Sequence, residues 1–185
     1  MKLGRHLVTE DPVDLVPYDL HWPALFQVEA KLLIAGLGSS SFTIEHVGST
    51  AIPGLGAKPV VDLMLGGPSL AAIDARRPAI EHLGYEYRPH QEAVIPDRRF
   101  FVKSVGGRRA FHLHAVQAGS AFWVEHVAFR DRLRSDPGLA AAYHGVKADL
   151  AARHRHDREA YTSGKSAFIS TVLGSVKRRP SDDAV

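Results

Sequence analysis

Asp62 is a lone carboxylate inside the apolar run Val60 to Leu65, and it follows a Gly48-Ser49-Thr50 bend. Burying a carboxylate without a partner is costly, so Asp62 must meet a donor, a cation or solvent at a cleft. The bend supplies the other half of a site. Gly48 removes the Cβ where backbone must come close to something, and Ser49 and Thr50 add hydroxyls beside freed amide groups. A strand that ends in a small-residue turn opening a helix makes an anion site, and phosphate is its natural guest. Lys58, just ahead of the Asp62 strand, is placed to act as a cation for that phosphate. The structural alternative for Asp62 is capping of a nearby turn or pairing with an arginine.

Histidines extend the chemistry. His112 and His114 stand two apart in the run Ala110 to Gln117, so on a strand they share a face. His46 precedes the bend. Together with Asp62 they form a set able to hold one divalent ion (Mg²⁺, Mn²⁺ or Zn²⁺) through nitrogen and oxygen. A hydrogen-bonded cluster lining a polar cleft is the other reading. Arg130 lies one turn beyond His126 on a helix and next to Asp131, so it clamps a phosphate or closes an internal ion pair. His126 is read as a satisfied core histidine or a group reaching the cleft. Tyr161 and Lys165, also one turn apart, give a nucleotide-facing edge or ordinary packing with a surface lysine.

The elements that must position these groups follow from periodicity. Trp22 to Leu37 reads as a helix, with Pro23 in its first turn and Gly36 and Gly38 at its end. Phe42 to Val47 reads as a strand, and Val60 to Leu65 as a buried one with Val60, Asp62 and Met64 on one side. Ser69 is the expected N-cap of a helix to about Leu83. Tyr85 to Arg88, Arg98 to Val105 and Ala110 to Gln117 read as extended, the last two joined by a turn at Gly106-Gly107-Arg108-Arg109. The last third is Ala-rich and helical, with helices over Ser120 to Arg134, from Asp136-Pro137, and over Ala160 to Val176. The expectation is an α/β fold of mixed α+β character, a mixed sheet flanked by helices with a helical C-terminal third. It forms a single domain over residues 1–176, followed by a tail at 177–185.

Bulk composition agrees. The chain has 185 residues, 45% apolar and 23% charged, which suits one globular core. It contains no cysteine, which excludes disulfides, thiolate chemistry and Cys-ligated zinc and fits a reducing cytoplasm. No run approaches the roughly 20 apolar residues of a membrane span, and residues 1–20 lack an apolar signal core. The net charge of +3 suits phosphate-bearing ligands, whereas no basic–aromatic pattern organises it for nucleic acid.

The string Ile44-Glu45-His46-Val47-Gly48-Ser49-Thr50-Ala51-Ile52-Pro53-Gly54-Leu55, continuing into Lys58-Pro59-Val60-Val61-Asp62, resembles the GrpB family. That family is placed in the DNA polymerase β-type nucleotidyltransferase superfamily. Further matches are Val16-Pro17-Tyr18-Asp19, His112-Leu113-His114-Ala115, Phe129 to Arg134, Tyr143, Lys147, Tyr161, Lys165 and Phe168-Ile169. The resemblance implies a nucleotidyltransferase-like fold, triphosphate binding at the Gly48-Ser49 turn and a metal at Asp62. The superfamily's second acid falls at Met64, and no third acid lies in Ala110 to Gln117. Two-metal catalysis needs more carboxylates than this. The functions implied are a nucleotidyl or phosphoryl transferase with His112 or His114 as ligand or base, or a helper module that keeps the phosphate cleft without catalysis. Family context adds dephospho-CoA kinase as a partner. A nucleic-acid binder is the third reading.

Overall fold

The computed structural model describes residues 12–177, so residues 1–11 of the lead-in and the expected tail beyond Lys177 lie outside it. The helix α1 spans Trp22–Leu37 and ends where Gly38 turns left-handed. It buries Trp22, Phe26, Glu29, Leu33 and Leu37, one stripe at helical spacing, whereas Leu25 is exposed. Glu29 is tolerated on that stripe because Lys103 Nζ lies 2.7 Å from its carboxylate.

Five strands follow: β1 (Thr43–Val47), β2 (Val61–Gly67), β3 (Tyr85–Tyr87), β4 (Arg98–Val105) and β5 (Arg108–Gln117). They form one sheet in the order β1-β2-β5-β4-β3, with β2 and β5 parallel and every other pair antiparallel. The helix α2 (Leu70–His82) starts at the expected Ser69 cap, whose Oγ accepts from the Ala72 amide, and tolerates Pro78 inside it. The β4–β5 turn is tighter than expected: Arg108 and Arg109 already belong to β5, and only Gly106 and Gly107 turn, both at positive φ.

The C-terminal third holds α3 (Ala121–Ser135), α4 (Pro137–Arg153), α5 (Arg158–Ser163) and α6 (Ser166–Lys177). Ser120, Asp136 and Asp157 cap the first three. The single helix expected over Ala160 to Val176 is broken into α5 and α6. Gly164 sits at the break, where a Cβ would lie 2.5 Å from Leu150 on α4. No helix among the described residues is long and apolar enough to cross a membrane.

One face of the sheet packs Val61, Leu63, Leu65, Phe101, Leu113 and Ala115 against α1 and α2. The other sets Val47, Met64 and Val116 against Phe122, Trp123 and Val127 of α3. Two positions at the end of β2 bring the layers close: a Cβ on Gly66 would fall 2.7 Å from Trp123, and one on Gly67 2.8 Å from Ile73. A separate cluster of Ile52, Leu55, Leu133, Tyr143 and Val172 fixes the loop after the bend to the C-terminal helices.

Candidate functional site

Register decides which groups meet. Val47 pairs with Asp62, Asp62 with His112, and Met64 with His114. Residues paired in register share a face, so Asp62, His112 and His114 point together towards α3. Asp62 Oδ1 accepts from His112 Nδ1 at 3.0 Å, and His114 Nε2 lies 3.7 Å from the same oxygen. Gly48 closes over this pair with φ +70°, and a Cβ there would lie 2.3 Å from Asp62 Oδ2. The glycine is therefore required by both conformation and contact.

The same register sends His46 to the other face, opposite Leu63. Its ring stacks on Phe26, and its Nε2 lies 3.0 Å from Thr50 Oγ1. The expected four-residue metal set is thus not assembled: His46 faces α1, and the buried Thr50 hydroxyl is engaged with it rather than turned to the cleft. The bend also opens only a single turn of 3-10 helix, Ser49–Ala51, not a long helix. Among the described residues, no group of three or more His, Asp or Glu is arranged to hold a metal ion. Met64, at the second acid's position, is sealed in an apolar cluster. These residues do not fit a two-ion set.

The bend is fastened from outside the sheet. Arg130 donates to Glu45, to Asp131 and to the His46 carbonyl, so it is the internal ion pair. Arg134 Nε donates to the Ala51 carbonyl at 2.9 Å. Lys147, fully buried on α4, donates to the Gly56 carbonyl at 2.5 Å and lies under the Tyr143 ring. Tyr143, Tyr161 and Lys165 of the C-terminal helices lie within electrostatic reach of Asp62. Tyr143 reaches Ser49, and Lys58 and Lys165 lie 5.4 and 4.6 Å from the Tyr161 ring centroid. The Tyr161–Lys165 edge and Lys58 are therefore brought to one place.

Electrostatics sharpen this. Burial alone would raise the Asp62 carboxyl, but the hydrogen bond from His112 and the nearby His114 ring outweigh it and hold the group well below its ordinary range. Burial pushes His114 down to about 4 against the pull of Asp62, so the ring is neutral at pH 7. A guanidinium only donates, so His114 Nδ1 must accept from Arg98 Nη1 (3.3 Å) and its proton sits on Nε2, towards Asp62. His112 has the opposite tautomer, with Nδ1–H held by Asp62. Its Nε2 is buried and has no partner. His126 donates from Nδ1 to the Phe122 carbonyl at 2.8 Å, and burial lowers its pKa. Phe122 is half-buried and stacked on His126.

Burial, with Lys165 nearby, also pushes Lys147 from 10.5 down to about 7. Between those two values the unfolded chain binds the extra proton, so the lysine's contribution to stability increases as pH rises. The melting-temperature difference between wild type and Lys147→Met should therefore move in favour of wild type between about pH 7 and pH 10. A flat difference across that range would mean that the ammonium stays fully charged when folded.

Sequence reasoning missed Arg98 altogether, and it had Lys147 and Tyr143 only through the family string. Nothing local marks an arginine or lysine that will be buried.

The GrpB protein family model matches residues 12–175. The chain belongs to the GrpB family. A UPF0157 protein of Pseudomonas aeruginosa is 38% identical over 168 residues, covering 89% of this chain and 68% of that one. The crystal structure of conserved protein GrpB from Enterococcus faecalis superposes with TM-score 0.77 at 30% identity, covering 88% of this chain and 96% of that one. A dephospho-CoA kinase of Mycolicibacterium paratuberculosis is 30% identical, over 90% of this chain and 46% of its own length. The GrpB resemblance drawn from the bend and the Asp62 strand is therefore correct, and it extends over nearly all described residues.

Proposed function

We propose that this GrpB chain binds a nucleotide, or another phosphate-bearing small molecule, and passes a nucleotidyl or phosphoryl group to an acceptor hydroxyl. The observation that carries this reading is the Asp62–His112 hydrogen bond under the side-chain-free Gly48. Ser49, Lys58 and Lys165 hold the phosphates. Asp62 fixes the His112 tautomer, which leaves Nε2 as a base. That atom takes the acceptor's proton as the acceptor oxygen bonds to phosphorus and the leaving phosphate departs with its bonding pair. Nε2 has no solvent contact, so the acceptor reaches it only after a covering side chain moves. Because the residues do not fit a two-ion set, no step here passes through a metal.

Sealed Met64 favours a second reading, a module that holds the phosphate ligand without turning it over. Similarity to part of a dephospho-CoA kinase supports a helper role beside CoA or nucleotide metabolism, with that kinase as the partner.

Titration calorimetry with ATP, CTP, UTP and CoA, each with and without Mg²⁺ or Mn²⁺, tests the shared premise. At least one should bind, and Lys165→Met should weaken it at least tenfold. If none binds at millimolar concentration, both readings fail. Pyrophosphate release with an acceptor panel then separates transferase from binding module.

A further inference from the structure

Arg98 opens β4 on the face that carries Asp62 and is 7% exposed. Its hydrogen-bond partners are neutral: Nη1 donates to His114 Nδ1 at 3.3 Å and Nη2 to Gln91 Oε1 at 3.2 Å. Nε is sealed from solvent with no acceptor. Among the described residues no carboxylate pairs with this guanidinium, whereas the other buried arginine, Arg130, holds both Glu45 and Asp131. A buried cation left with an orphaned N–H is unfavourable, and sites built for a ligand tolerate it. The half-buried rings of Phe100 and Phe122 flank the guanidinium at 4.8 and 5.7 Å.

We propose that Arg98 anchors a second subsite, which takes the carboxylate of a small planar acceptor along the Nε–Nη2 edge of the guanidinium. A carboxylate matches that edge with two parallel N–H bonds. The Gln91 amide occupies half of the edge as a neutral stand-in and is displaced. Phe100 and Phe122 give the flat body of the acceptor two ring surfaces. Tetrahedral phosphate is served by Ser49, Lys58 and Lys165. His114 joins the subsite to the reacting pair, with one nitrogen on Arg98 and the other 3.7 Å from Asp62 Oδ1. The proposal rests on the preceding reading in that it names the acceptor class of the same cleft.

The test is NMR of the full chain with labelled histidines, titrated with benzoate, isosteric benzamide and inorganic phosphate. Benzoate should shift the His114 resonances to saturation, and benzamide and phosphate should not. Arg98→Lys keeps the charge but loses the fork, and benzoate affinity should fall at least tenfold. Should that variant not fold, Gln91→Ala serves instead; with the stand-in removed, benzoate should bind several-fold more tightly. No saturable benzoate shift, equal shifts from benzamide, or benzoate affinity unchanged in both variants would overturn the subsite. Nucleotide calorimetry on the wild-type chain reports separately, so failure there with benzoate binding intact removes the phosphate reading and leaves this one.

Discussion

Gly48→Ala should lower the melting temperature by about 6–12 °C. The backbone at this position has φ +70° and ψ −171°, a region that only glycine enters freely. Holding alanine there costs about 1–3 kcal/mol. The added methyl would also lie 2.3 Å from Asp62 Oδ2 and 3.0 Å from Asp62 Cβ, so the carboxylate or the bend must shift. Together these give about 3 kcal/mol, and a domain of this size loses about 2–4 °C per kcal/mol. Differential scanning calorimetry reads the effect directly. A melt within 2 °C of wild type would show that the bend relaxes freely and that the tight approach to Asp62 is not enforced.

Asp62→Asn is the second large effect, this time on turnover. The substitution keeps the shape and leaves the ring partners in place. It removes the negative charge that fixes the His112 tautomer and steadies the imidazolium formed on proton uptake. General-base contributions run to about 10²–10⁴-fold, so pyrophosphate release should fall by about 10³-fold while nucleotide binding changes little. Comparing single-turnover rates with calorimetric affinities separates the two. An unchanged rate would place the chemistry elsewhere. A proportionate loss of affinity would assign Asp62 to ligand binding instead.

Much of this arrangement was legible in the chain, for identifiable reasons. Helix α1 follows from its apolar spacing, Pro23 and the Gly38 stop. The convergence of His112 and His114 follows from the two-residue period of a strand, and Asp62 and Met64 share a face by the same rule. His46 was misplaced because its side of the sheet depends on pairing Val47 with Asp62, and no local pattern encodes that register. The break between α5 and α6 depends on Leu150, which approaches Gly164 from another helix. Thr50 reads as a phosphate ligand because its hydroxyl follows the glycine bend, but His46 claims it from inside. Arg98 was invisible for the plainest reason: arginine is normally exposed, and only the assembled strands, α3 and the turn carrying Gln91 enclose it.

The bare positions at the far end of β2 also shape how anything reaches Asp62. Gly66 and Gly67 let Trp123 and Ile73 settle almost onto the backbone, so the helical layers pinch the sheet there. Asp62 lies four residues earlier, about 13 Å along the strand at a rise of about 3.3 Å per residue. Between the two, level with Met64, the His114 ring meets Phe100 and Phe122. The glycine end of β2 is therefore closed, and a ligand for Asp62 has to come from the other end of the strand.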